Sequence, residues 1–514
     1  MKKSVALIGA FVLSLSISYA SKAQERKNYV FINPSDTKEE IIAKAARVIP
    51  SSQQYAWQSL EFTAFVHFGM NTFADVEWAK VKASPKIFDP KKLDCDQWVR
   101  VLKDAGARLA ILVAKHEDGF CLWPSKYTKY SVKYSPWKNG KGDVVREFVN
   151  ACHKYGVKVG LYLSPWDQAE PTYGTPAYNK YFENQLTELL TNYGRISEVW
   201  FDGGIARDYP KKQVYDWQAY YRIIRKLQPN AVIAIGGPDV RWVGTESGYG
   251  RETEWDVIPI NLAPLTQAEA MSMAHPLDEV FKPHDMMDPD LGGLDKIEKA
   301  KGLFWYPAET DVTIRPGWFY HASEDTSVKS VGKLVDIYFS SVGRNSVLLL
   351  NVPPDKDGLI SKYDIKSLEG FHEVISETFR RNFAANAEVA IAGDKGSARA
   401  SALFGRGKYW KGKEGADSSS LVFSLPSPEK FDVAMLQENI LVGQRISRFR
   451  IDYWDGKGWE KLTEGTTVGF KRLLRFKPVT ADRVRLVIED SRLTPTLSGF
   501  GLYELPPEYL NLGE

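Results

Sequence analysis

The chain reads as an α/β protein: a (β/α)8-like barrel with irregular later units, followed by an all-β sandwich or jelly roll. Three observations lead there. Buried-looking apolar runs alternate with amphipathic helical stretches through the first two thirds, and most of these helices are closed by a glycine. So many repeats of strand, polar loop, helix and strand favour a closed parallel barrel over an open sheet. After about residue 381 helical periodicity fades, and short alternating segments separated by turn residues take over.

The units follow in order. Phe62 to Phe68 is apolar with β-branched residues and stops at Gly69. Asp94 to Ala105 places Trp98, Val99 and Leu102 at helical spacing and ends at Gly106. Leu109 to Ala114 is a continuous apolar run leading into Lys115-His116-Glu117-Asp118-Gly119. Asp143 is placed to cap a helix running to Tyr155, with Val144, Phe148 and Cys152 on one face and Gly156 at its end. Val157 to Leu163 is the next strand, and Tyr178 to Tyr193 the next helix. Val199 to Phe201 then runs straight into Asp202-Gly203-Gly204, where paired glycines end the strand and let a ligand approach the backbone. A helix over Trp217–Leu227 and a strand over Ala231–Ile235 follow. From Glu246 to Arg315 the pattern blurs, with Glu254–Ile260 and Gly302–Trp305 as strand candidates. Val331–Val342 is helical, and Ser346–Val352 is a strong last strand. The barrel therefore spans 51–380 and the sandwich 381–514, the latter built on Ser419–Phe423, Val433–Leu436, Ser447–Trp454 and Val484–Ile488.

The amino terminus has its own character. Lys2 and Lys3 precede an apolar stretch from Val5 to Ile17, and small residues follow, with cleavage expected after Ala20 or Ala23. Residues 1–23 thus read as a secretory signal peptide, too short for a membrane span, and 24–50 as a polar leader. The mature protein is expected to be exported, periplasmic or extracellular, without membrane insertion. A net charge of +3 and the lack of a long basic run argue against a nucleic-acid partner. Cysteines 95, 121 and 152 show no metal-ligand spacing and are expected as buried free thiols. With 15 Trp and 25 Tyr the chain is rich in rings that stack on sugars, so carbohydrate is a natural partner class.

The loops after the first five strands offer His67, Glu77 and Trp78; then His116, Glu117 and Asp118; then Trp166 and Asp167; then Asp202; then Trp242 and Glu246. In a barrel all of these reach one rim, the face where such folds do chemistry. A zinc site from His67, His116 and Asp202 lacks tight ligand spacing. No GxSxG elbow, phosphate loop or dinucleotide fingerprint is present. Carboxylates amid histidines and tryptophans suit glycoside hydrolysis, where one carboxylate supports an oxocarbenium-like centre and another moves a proton.

Six stretches make the reading specific: Val66-His67-Phe68-Gly69, Val76-Glu77-Trp78, Lys115 to Trp123, Trp200-Phe201-Asp202-Gly203, Arg315 to His321, and Leu350-Asn351-Val352-Pro353-Pro354. Together they resemble glycoside hydrolase family 29, the α-L-fucosidases, and cover the proposed barrel in the family's order. The resemblance implies a retaining enzyme with Asp202 as nucleophile. Arg241-Trp242-Val243-Gly244-Thr245-Glu246 resembles the acid/base motif of the subgroup that cleaves α-1,3/1,4-linked fucose from branched, Lewis-type glycans, which implies Glu246 for that role. Glu252, Glu254 and Asp167 are the alternatives, and a loop salt bridge to Arg241 or Arg251 is the structural alternative for Glu246. By the same matching His67, Glu77, Trp78, His116 and Glu117 bind fucose hydroxyls, Trp318 packs on the sugar's apolar side, and Trp166 is a further contact. Glu117 departs from the family, many of whose members have a second histidine there, and so leaves open a retaining glycosidase for another sugar. A catalytically decayed carbohydrate-binding protein is the alternative from another class. The carboxy-terminal part, from Val442-Gly443-Gln444-Arg445 to Gly499-Phe500-Gly501-Leu502-Tyr503, resembles the discoidin-like, coagulation-factor type C sandwich, which implies either glycan binding or support of the barrel. The chemistry needs no cofactor, and a structural calcium is compatible with the sandwich.

Overall fold

A computed structural model describes residues 27–78, 83–203, 211–260, 288–394, 396–405 and 407–509. The signal segment 1–23 lies outside them. An eight-stranded parallel sheet is drawn from residues 62–351. Its members are β2 (Phe62–Val66), β3 (Leu109–Lys115), β4 (Lys158–Leu163), β5 (Glu198–Phe201), β6 (Val232–Ile235), β7 (Arg241–Trp242), β10 (Ala308–Thr313) and β11 (Val347–Asn351). They run in the order β6-β5-β4-β3-β2-β11-β10-β7, so the first and last strands meet at a seam and the sheet is a nearly closed barrel.

Local chemistry explains the early units. Asp94 and Asp143 cap the helices Cys95–Asp104 and Val144–Tyr155 through the amides of Gln97 and Arg146. Gly156 closes the second helix in the left-handed region, at φ +70°. Side chains on the outer face of the strands join the helices in one large core that includes Trp98, Phe148, Leu186 and Trp217. The other face fills the lumen with Phe65, Ile111, Tyr162, Trp200 and Leu349.

The blurred region resolves differently from the sequence expectation. β8 (Val257–Ile260) and β9 (Gly302–Trp305) are strands, but they belong to a side sheet with β1 (Tyr29–Phe31), in the order β1-β9-β8. The barrel strand there is β10, Ala-Glu-Thr-Asp-Val-Thr, which has no apolar run because Glu309 and Asp311 face the lumen. The polar leader is ordered where described: besides β1 it forms the helix Lys38–Ala45, whose Thr37 and Glu40 make a reciprocal cap. Ile41 and Ala45 pack with Val257, Leu303 and Trp305 under the side sheet.

The carboxy-terminal region is a β-sandwich around Phe423, Phe431, Phe449, Leu486 and Phe500. The sequence segments Ser419–Phe423 and Val433–Leu436 are two ends of one strand, β15 (Ser419–Gln437), which pairs with the equally long β18 (Arg472–Ser491). Register shifts near Ser424/Glu429 and Phe431/Val433 bend the pair, so that its two halves serve different layers. β12 (Glu388–Ile391) and β20 (Gly499–Tyr503) flank β15 at opposite ends.

Candidate active site

Asp202 follows β5, at the carboxyl end of the barrel. Alternation along the strand puts Glu198, Trp200 and Asp202 on the lumen side. The Tyr162 hydroxyl of the neighbouring β4 donates to Asp202 Oδ2 at 2.9 Å. Tyr162 is buried between two rings: it stacks on Trp200, with centroids 5.1 Å apart, and on His116, 5.8 Å away. Burial, and next the Asp202 charge, push its phenol pKa far up, so it remains a donor.

Glu246 stands at the mouth of the site. Trp318 Nε1 donates to its Oε2 at 3.3 Å. Partial desolvation raises its pKa; the Trp318 bond opposes this, and the negative charges of Asp202 and Glu77 add to it. A carboxylate held by a phenol donor, beside a second carboxyl that tends to hold its proton, is what acid-assisted glycosyl transfer requires.

The alternatives separate by their partners. Arg241 and Arg251 do not engage Glu246; both bind Glu254, which is wholly buried. Glu252 pairs with Arg344 and Arg472. Asp167 is buried against Lys115 Nζ at 2.9 Å, and its other oxygen accepts from the amides of Ala169 and Glu170. These three carboxylates are occupied in structural pairs, whereas Glu246 reaches the site.

His67 is buried, and its Nδ1 lies 2.8 Å from Asn351 Oδ1. Asn351 Nδ2 donates to Trp318 O at 2.8 Å and to Thr313 Oγ1 at 3.1 Å, which turns Oδ1 toward His67. The proton of His67 therefore sits on Nδ1, leaving Nε2 as an acceptor. Burial lowers its pKa to about 3, so the ring is neutral at any working pH. Burial likewise holds His116 neutral, and its Nδ1 contacts the Glu117 carboxylate. His116 packs edge-on against His67 and Phe319, at 5.7 and 5.1 Å.

Glu77 fixes the opposite wall. It accepts from the backbone amides of Trp318 (2.8 Å) and Phe319 (3.0 Å) and contacts His321 Nε2 (2.8 Å). A Cβ at Gly317 would lie 2.5 Å from Glu77 Oε1, so only glycine lets the loop approach. Trp318 also lies 5.1 Å from the His67 ring. Trp78 is 56% exposed, with its ring 6.0 Å from His116, and forms an outer edge. Trp166 departs from this cluster: it is buried in the layer between sheet and helices.

Sequence reasoning assigned no role to Tyr162, Asn351 or His321. Period-two alternation on β4 pointed Tyr162 inward, and Asn351 and His321 lie inside quoted motifs; those were the available signals. Among the described residues no three His, Cys, Asp or Glu side chains gather into a metal-binding group. Nor is any described helix long and apolar enough to cross a membrane.

Against known proteins, the family model described as α-L-fucosidase matches residues 41–254 and 265–376. The Arabidopsis thaliana α-L-fucosidase 1 is 45% identical over 466 residues, covering 88% of this chain and 87% of that protein. A Bacteroides ovatus crystal structure, provisionally described as an α-L-fucosidase, superposes with a TM-score of 0.83 at 48% identity, covering 94% of this chain and 78% of the other. A Ruminococcus gnavus family 29 fucosidase in complex with fucose matches with a TM-score of 0.76 at 30% identity, covering 90% and 96%.

Proposed function

From the premise that this chain belongs to the α-L-fucosidases of glycoside hydrolase family 29, we propose that it is an exported, retaining enzyme that removes terminal α-1,3/1,4-linked L-fucose from branched, Lewis-type glycans. In the first step Asp202 attacks the anomeric carbon. The bond to the leaving oxygen breaks, and the proton of Glu246 goes to that oxygen. In the second step Glu246 takes a proton from water, whose oxygen displaces Asp202 and releases fucose with its original anomeric configuration. The observation that supports this most is the pair of carboxyls itself. Asp202 is held by Tyr162, and Glu246 feels the Asp202 charge while tending to keep its proton. Retention calls for a carboxyl separation of about 5–5.5 Å. No step calls for a metal or cofactor.

His67 Nε2, His116, Glu117 and Glu77 supply polar groups for the fucose hydroxyls, while Trp318 and Phe319 supply a wall for the 6-methyl group. The fucose-bound R. gnavus structure supports a fucose pocket on this scaffold. The Lewis-type preference rests on the Arg241-to-Glu246 motif, and export on residues 1–23. The sandwich is proposed to be discoidin-like. Fucose release from an aryl α-L-fucoside, an α-1,2-fucosyl lactose and Lewis-type α-1,3 and α-1,4 trisaccharides tests the reading. Release from the branched compounds alone, abolished in Asp202→Ala, is expected. Strong release from the aryl and α-1,2 compounds would overturn the linkage, and release from none would overturn the activity on fucosides.

A further inference from the structure

The loop that carries Glu246 is closed at its base and then held from outside the barrel. Arg241, wholly buried, bonds through its guanidinium to Glu254 and to the carbonyls of Trp255 (3.2 Å) and Tyr306 (2.8 Å). This contact joins the two ends of the segment 241–254. Among the described residues the far end pairs with no strand, since β8 begins only at Val257. Its backbone groups are taken up by the sandwich. Thr467 Oγ1 accepts from the Glu254 amide at 2.9 Å, and Gln444 Nε2 donates to the Glu254 carbonyl at 2.9 Å. Gln444 Oε1 also accepts from the Asp256 amide at 2.8 Å. The Glu254 amide is thus satisfied by a side chain more than 180 residues further along the chain, and its carbonyl is shared between Gln444 and Asn345 Nδ2 of the barrel, at 3.3 Å. Arg472 donates to the Glu252 carbonyl at 2.7 Å and to its carboxylate at 2.9 Å, and Thr466 donates to that carbonyl at 2.9 Å. Thr467, Gln444 and Arg472 are all buried, which places the junction away from water, where an unmade hydrogen bond is expensive.

We propose that the sandwich is a working part of the catalytic site: through Thr467 and Gln444 it clamps Glu254, and through the Glu254–Arg241 closure it positions Glu246 for proton transfer. Thr467 and Gln444 are positioning residues, since neither touches the site. The inference rests on the reading of Glu246 as the acid/base. A general acid contributes about 10²- to 10⁴-fold, and a misplacement of about 1 Å can remove much of that. A loosened clamp should therefore slow only reactions that depend on protonation of the leaving group.

The test compares kcat/KM, which reports the fucosylation step, on two substrates. A Lewis-type trisaccharide expels a sugar alkoxide and needs the acid; α-L-fucosyl fluoride expels fluoride with little help. For the full-length Thr467→Val and Gln444→Met variants, a loss of about 10-fold or more is expected on the trisaccharide and less than about 2-fold on the fluoride. Thr467→Ser, which keeps the acceptor, should return the trisaccharide rate to the wild-type value. Equal losses on both substrates, or no loss on either, would overturn the proposal, because a general loss of folded enzyme lowers both together. Glu246→Gln is run alongside. If it shows the selectivity and the clamp variants do not, the clamp is wrong and the acid/base assignment stands. If Glu246→Gln itself shows none, the assignment falls and the clamp falls with it.

Discussion

Glu198 on β5 and Glu309 on β10 meet in the lumen below Trp200. Trp57 Nε1 donates to Glu198 at 3.0 Å, and Trp200 Nε1 donates to Glu309 at 2.7 Å. Both side chains are buried, and they bond to each other. Burial raises both pKa values, and for Glu309 the Glu198 charge adds to it, so the folded pair retains a proton that both carboxyls have lost in the unfolded chain. The sign follows from linkage. These raised values give stability that is fully present below the ordinary carboxylate pKa of 4.5 and is lost as pH rises. Each retained proton changes stability by about 1.4 kcal/mol per pH unit, so about 3 kcal/mol disappears as pH rises from 4.5 to about 7. Glu309→Gln keeps the acceptor for Trp200 and offers Glu198 a permanent donor. Relative to wild type it should gain stability with rising pH by up to that amount. Urea unfolding at several pH values measures the difference. A variant whose stability runs parallel to wild type across that range would refute the shared proton.

Three further outcomes are expected. As the proposed acid Glu246 must be protonated to act, and its pKa is raised by partial desolvation and by the charges of Asp202 and Glu77, so activity is expected to persist until pH rises through the raised value. Glu77→Gln should therefore move the basic limb of the kcat/KM profile to lower pH. Tyr162→Phe deletes a hydrogen bond to the Asp202 carboxylate, worth about 1.5 kcal/mol or more, and should lower kcat/KM about 10-fold with unchanged thermal unfolding. Neutral burial of His67, with its pKa lowered to about 3, favours the fold above the ordinary value of 6.5 and progressively less as pH falls toward 3. His67→Asn should flatten that part of the stability profile, as read by thermal melts.

How much of this the sequence disclosed depended on local regularity. The early barrel units were legible because Leu109–Lys115 and Lys158–Leu163 are apolar apart from one terminal lysine each, and each is preceded by a helix that ends at a glycine. The later ones were hidden because β7 is only Arg241–Trp242, while β10 turns Glu309 and Asp311 into the lumen and so loses its apolar signature. The apolar runs at Val257–Ile260 and Gly302–Trp305 drew attention to a side sheet instead. Asp202 stood out because its apolar run leads straight into paired glycines. The separation of Glu246 from Glu252 and Glu254 was not legible, since it turns on which arginine reaches which carboxylate. The clamp on Glu254 joins residues far apart in sequence, and no local pattern announces it.

The proposed retaining mechanism requires Asp202 to form a covalent bond to fucose. Incubation with a 2-deoxy-2-fluoro-fucosyl fluoride slows both steps and lets the ester accumulate, and mass spectrometry of the digested protein locates it. A single fluorofucosyl group on the peptide containing Asp202, absent from Asp202→Ala, is the predicted result. A label on another carboxylate, or no label together with release of the inverted fucose anomer, would contradict it.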